Sequence, residues 1–173
     1  MFVYKPPARW AAAADASVLF LAGSIEMGSA VDWQAALTAR LPEGVVVLNP
    51  RREAWDATWR QAIDEPPFRE QVEWELDGLD RADVIAMWFV AETRSPITLL
   101  ELGLHARGGR LIVGCPDPFW RKGNVEVVCA RHGIPLVGEW EPFVAAVQGA
   151  LAAHRLARGA ASATKSPLRP ELE

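Results

Sequence analysis

The chain has 173 residues, which fits one domain and allows burial of roughly 70% of the unfolded surface. Half of the residues are hydrophobic and 23% are charged, an ordinary balance for a soluble globular protein, and no apolar run approaches the ~18 residues of a membrane span. A net charge of −4 lacks the basic footprint of a non-specific nucleic-acid or anionic-lipid binder, so the expected partner is a small molecule, with no nucleic acid and no membrane.

Residues 1–16 read as a leader into the fold, and the alanines after Arg9 form too weak an apolar region for a secretory signal. Val18 to Ala22 is a short apolar run closed by Gly23-Ser24, the pattern of a fully buried parallel strand. Helical spacing over 29–41 turns Val31, Ala35 and Leu37 inward, and Pro42-Glu43-Gly44 ends that helix. Val45 to Leu48 is the second strand, stopped by Asn49-Pro50. A Trp-rich polar connection over 51–66 is long for its place, and such loops tend to carry function. A helix runs from near Pro67 to Arg81, and Val84 to Phe89 is the third strand. Ser95-Pro96 opens the next helix, with Ser as N-cap and Pro at the first position, and Gly108-Gly109 closes it. Arg110 to Val113 is the fourth strand, 124–132 a helix, Ile134 to Val137 the fifth strand and 140–156 a final amphipathic helix. From Gly159 the chain is rich in Ala, Ser, Pro and Lys, so a disordered tail over 159–173 is expected behind a single domain over 1–158.

Strands alternating with helices predict an α/β, flavodoxin-like three-layer sandwich. Its five-stranded parallel sheet takes the order 2-1-3-4-5, with strands counted as in the preceding paragraph. The ligand crevice then lies beyond the carboxyl ends of the first and third strands, lined by the loops 23–28 and 90–95. Cys115 and Cys129 belong to no metal-binding pattern; they fit free thiols in a reducing, cytoplasmic setting, and no metal or cofactor is expected.

Two glutamates stand out by helical position. On the helix from Phe68 to Arg81, the spacing assigns Phe68, Val72, Leu76 and Leu79 to the buried stripe; Glu70, Glu73, Asp77 and Asp80 project away from it. Glu75 shares the buried face. Desolvation favours the neutral form of a carboxyl, so Glu75 is suited to act as a general acid. On the helix after Ser95, the assigned stripe is Ile97, Leu100 and Leu104, with Glu101 on its edge. The nearby helix N-terminus favours an ionised Glu101. An acid and an anion facing one crevice are the parts of a double displacement at a glycosidic carbon. Each glutamate alone also fits a salt-bridged residue at the edge of a stripe.

Phe20-Leu21-Ala22-Gly23-Ser24-Ile25, Asn49-Pro50, Ala82-Asp83-Val84-Ile85 and Ser95-Pro96-Ile97-Thr98-Leu99-Leu100-Glu101-Leu102-Gly103 together resemble the nucleoside 2-deoxyribosyltransferase superfamily, over about residues 17–137. The resemblance includes relatives that hydrolyse deoxynucleoside monophosphates, and its most specific part is Thr98-x-x-Glu101-x-Gly103. It implies that Glu101 is a nucleophile that forms a covalent glycosyl-enzyme. It also implies that Glu75, eight residues before Asp83, protonates or orients the base, with Asp77 as the alternative if the register differs. Gly23, Ser24, Ile25, Asn49 and Thr98 come with the motifs as substrate-binding positions. Ser95 corresponds to a sugar- or phosphate-binding position, or simply caps its helix. Asn124 corresponds to a residue that reaches a neighbour's site to hold a sugar hydroxyl, which implies a homodimer or higher homo-oligomer, or it caps a loop-to-helix junction. Trp55 or Trp59 would stack on the base, or merely pack the loop.

The chain departs from the pattern in three places. The family's strand-one tyrosine, which contacts the nucleophile, aligns with Leu19. Glu26 stands where the monophosphate hydrolases carry arginine, which favours an uncharged nucleoside unless Arg51, Arg52 or Arg94 compensates. Ser95 replaces the aspartate common in transferases. The expectation is therefore cleavage or transfer at the N-glycosidic bond of a nucleoside or deoxynucleoside. The alternatives are a non-catalytic binder of a nucleotide-derived ligand, or a hydrolase of an NAD- or ADP-ribose-type molecule.

Overall fold

The computed structural model describes residues 1–13 and 15–163. Six strands and five α-helices alternate: β1 (Phe2–Tyr4), β2 (Ser17–Gly23), α1 (Trp33–Thr38), β3 (Val45–Leu48), α2 (Pro66–Arg81), β4 (Val84–Trp88), α3 (Pro96–His105), β5 (Leu111–Gly114), α4 (Lys122–His132), β6 (Leu136–Val137) and α5 (Trp140–Ala163). All strand pairs are parallel, in the order β1-β3-β2-β4-β5-β6. Without β1, this is the expected 2-1-3-4-5 order. The additional strand, β1, lies inside the expected leader and extends the sheet at its edge, pairing Phe2 with Val46 and Tyr4 with Leu48.

The strands form for the reason their composition suggests. Val18, Leu19, Phe20, Leu21 and Ala22 are all buried, because parallel strands covered by helices on both faces carry apolar residues at every position. Phe20, Ala22, Leu48, Ile85 and Met87 point to the layer holding α2, α3 and α4. Leu19, Leu21, Val47 and Ala86 point to the layer of α1 and α5. These two cores are the two interlayer spaces of a three-layer sandwich.

Helix faces differ from the expected ones. In α1 the inward residues are Trp33, Gln34 and Leu37, while Val31 precedes the helix and is 66% exposed. In α2 the buried face is Gln71, Trp74, Gly78 and Leu79; Phe68 and Val72 are only partly buried and Leu76 is exposed. Gly78 explains the rotation. A Cβ there would meet the Phe20 ring at 2.8 Å, so its absence lets α2 settle directly on β2. In α3 the expected stripe is reversed. Ile97, Leu100 and Leu104 are 58%, 58% and 59% exposed, while Thr98, Glu101 and Leu102 are buried. The helix α5 runs on to Ala163, so residues 159–163 of the expected tail are helical, and 164–173 lie outside the described residues. Among the described residues, no helix is long and apolar enough to cross a membrane.

Candidate active site

The site begins where β2 ends. Gly23 has φ +146°, and a Cβ there would lie 2.3 Å from the Trp88 carbonyl oxygen, so only glycine lets β2 turn beside β4 at this point. The next residue, Ser24, is buried, and its hydroxyl accepts from the Val90 amide at 2.8 Å. The same oxygen lies 2.9 Å from Thr93 Oγ1 and 2.5 Å from Ser95 Oγ, and the last two are 2.7 Å apart. Three buried hydroxyls thus tie the loop after β2 to the loop after β4. Ser95 occupies the N-cap position of α3, but its side chain makes no capping bond; its φ of +46° turns the hydroxyl into this cluster instead. Ile25 is partly buried and its carbonyl accepts from Gly28 and Ala30, closing a short 3-10 turn at Glu26–Gly28.

These loops border a cavity of about 400 Å³ lined by Glu26, Ser29, Val31, Val90, Thr93 and Arg94, among others. It lies at the expected switch point of the sheet, beyond β2 and β4. Neither Glu75 nor Glu101 lines it.

The two glutamates belong to α2 and α3, which cover the same face of the sheet. Glu101 is 9% exposed and Thr98, one turn earlier on the same face, is 3% exposed. Burial, reinforced by the charge of Glu75, pushes the Glu101 carboxyl up to about 8. Glu75 is partly buried as a residue, and desolvation pushes its carboxyl up to about 7, opposed by a hydrogen bond from Gln71. The charge of Glu75 is thus felt at Glu101 across the two helices. The dipole argument favours an ionised Glu101, but burial outweighs it, and both carboxyls lie above their ordinary range.

Gln71 was missed by the sequence reading. It is 4% exposed, its Nε2 donates to Glu75 Oε1 at 2.7 Å and to the Pro50 carbonyl at 2.9 Å, and its Oε1 has no partner. The available signal was its position, four residues before Glu75 on the same helix face. Leu19 belongs to the core of the opposite layer, so no side chain at 19 could touch Glu101; Phe20 is the β2 residue on the face of both glutamates. Asp77 is exposed and 4.0 Å from Arg81, away from the pair, so Glu75 is the inward acid.

Asn49 is 4% exposed and its Oδ1 accepts from the Arg51 amide at 3.0 Å, shaping the turn after β3. Trp55 packs edge-to-face on Trp59, with ring centroids 5.3 Å apart, and its buried indole nitrogen has no partner. Asn124 is exposed on α4 and lines a separate cavity of about 300 Å³ with Leu99, Gly103 and Arg121, so within one chain it does not join the glutamates. Cys115 and Cys129 are free and buried. Among the described residues, no group of three or more His, Cys, Asp or Glu is placed to hold a metal.

Residues 16–119 match a family described as nucleoside 2-deoxyribosyltransferase like. No curated protein matches the chain. Among solved structures, a conserved protein from Enterococcus faecalis V583 is similar in fold. Its TM-score is 0.54 at 10% identity, and the match covers 78% of this chain and 98% of that one.

Proposed function

The chain belongs to the nucleoside 2-deoxyribosyltransferase-like family, and from that membership we propose that it cleaves or transfers the N-glycosidic bond of a nucleoside through a covalent ester on Glu101. The observation that carries this reading is that Glu75 and Glu101 are both desolvated, with carboxyls raised to about 7 and about 8 and the charge of Glu75 felt at Glu101. With both carboxyls raised towards neutral pH, one can carry a proton while the other is ionised.

That single proton is what the reaction requires. With the proton on Glu75, one oxygen of the Glu101 carboxylate bonds to C1′ as the C1′–N bond breaks. The bonding electrons leave with the base, which takes the proton from Glu75. Water or a second base then attacks C1′ and returns a proton to Glu75, and Glu101 leaves as carboxylate. In this reading Gly23, Ser24, Ile25, Ser95 and Thr98 shape the sugar side, and Asn49 and Trp55 the base side. Asn124 serves a second copy of the chain. A second copy would also cover Ile97, Leu100 and Leu104, three apolar side chains exposed on one face of α3.

The test is a screen of nucleosides by mass spectrometry, with and without a free acceptor base, on the unaltered protein and on Glu101→Gln. Base release by the unaltered protein, with a loss of about 10³-fold or more in the variant, is expected. Full turnover by Glu101→Gln would falsify the assignment.

A further inference from the structure

Building on the reading of the site as a nucleoside site, we infer that Glu26 determines specificity in the cavity beyond β2 and β4. It admits a ligand whose end there is a neutral hydroxyl and turns away one that carries a phosphate. Glu26 and Ser95 are both non-glycine residues at positive φ, +47° and +46°. Glu26 Oε1 accepts from the amides of Arg94 at 2.9 Å and Ser95 at 2.7 Å. These amides stand at the N-terminal end of α3, where unpaired N–H groups and the helix dipole favour an anion. The protein's own carboxylate fills that position. Glu26 also lines the cavity together with Thr93 and Arg94, so its charge borders the space a ligand would enter.

Of the nearby cations, Arg51 is held by backbone carbonyls, Arg52 keeps a buried Nη1 without a hydrogen-bond partner, and Arg94 lines the cavity beside Glu26. Arg51 Nη2 donates to the carbonyls of Gly28 at 2.9 Å and Ala30 at 2.8 Å. Arg52 lies over Trp59 at 5.0 Å and 3.5 Å from Glu70. Arg94 lies over Trp120 at 5.1 Å, and the indole of Trp120 donates to the Arg94 carbonyl at 3.0 Å. An entering phosphate would meet a carboxylate already holding the helix amides. A ligand hydroxyl would instead find in that carboxylate an acceptor.

Two measurements separate this inference from the nucleoside reading. The first is titration with inorganic phosphate, followed through the backbone amide signals of Arg94 and Ser95 and through thermal unfolding. The unaltered protein should not respond. Glu26→Ala should show saturable shifts at both amides and a gain of about 2 °C or more. Glu26→Gln, which keeps an acceptor but loses the charge, should respond more weakly and serves if the alanine variant does not fold. A response of the unaltered protein at those amides, or none in any folded variant, overturns the inference. The second is calorimetry with the four common deoxynucleosides and their 5′-monophosphates. The unaltered protein should prefer the nucleoside, and both variants should narrow that preference about tenfold or more; equal preference in all three proteins overturns the inference. If the phosphate titration succeeds while no nucleoside binds, the role of Glu26 stands and the nucleoside reading falls.

Discussion

Gln71 and Glu75 stand one turn apart on α2, and the amide of the first donates to the carboxylate of the second at 2.7 Å while also holding the Pro50 carbonyl at 2.9 Å. The end of β3 is thereby connected to the proposed acid. The bond favours the ionised form of Glu75 and partly offsets its desolvation. In Gln71→Leu the Glu75 carboxyl should therefore rise further above the usual carboxylate range. The kcat/KM profile should shift to higher pH, with kcat reduced about tenfold. A loss of activity at an unchanged pH profile would assign Gln71 a purely structural role.

Both acids also make stability depend on pH. Each folded-state carboxyl lies above its ordinary value of 4.5, at about 7 for Glu75 and about 8 for Glu101. The folded protein binds more protons than the unfolded one between these values, so the contribution of the protonated acids is fully present below about pH 4.5 and is lost as pH rises through about 8. Urea unfolding at pH 5, 7 and 9 should show stability declining across the series. Glu101→Gln should flatten the decline and exceed the unaltered protein at pH 9 by about 1–4 kcal/mol. Parallel curves for the two proteins would show that Glu101 is not desolvated.

The hydroxyl cluster predicts an order of costs. Ser24 contacts both other hydroxyls and accepts from the Val90 amide, so Ser24→Ala leaves a buried N–H without a partner and should cost about 1–3 kcal/mol. In Ser95→Ala, Ser24 and Thr93 keep each other and the cost should be smaller. Chemical denaturation of the two variants measures the difference; equal costs would remove the central role given to Ser24.

The exposed face of α3 gives a prediction about assembly. Leu100→Asp places a charge between Ile97 and Leu104 without entering the core, since Leu100 is 58% exposed. Sedimentation should show the unaltered protein as a homodimer or larger and the variant as a monomer with unchanged circular dichroism. A monomeric unaltered protein would end the proposal that a second copy covers this face.

The sequence by itself determined the layers and the sheet order, because buried parallel strands are short apolar runs and their crossovers have one hand. It could not mark β1, whose Phe2 and Val3 are 68% and 43% exposed on a three-residue edge strand held chiefly by backbone pairing. Periodicity found Glu75 and Glu101 but misjudged their surroundings. Ile97, Leu100 and Leu104 form the more apolar stripe of α3, yet the helix turns Thr98, Glu101 and Leu102 inward. Period alone says that a helix has a face; which face is covered depends on the neighbouring elements. Likewise, the helix dipole is a local property that favours an ionised Glu101, whereas desolvation and the charge of Glu75 arise only when α2 and α3 are packed side by side. Gly78 lets α2 rest against Phe20, and the raised carboxyls of the two glutamates are likewise a property of the tertiary structure.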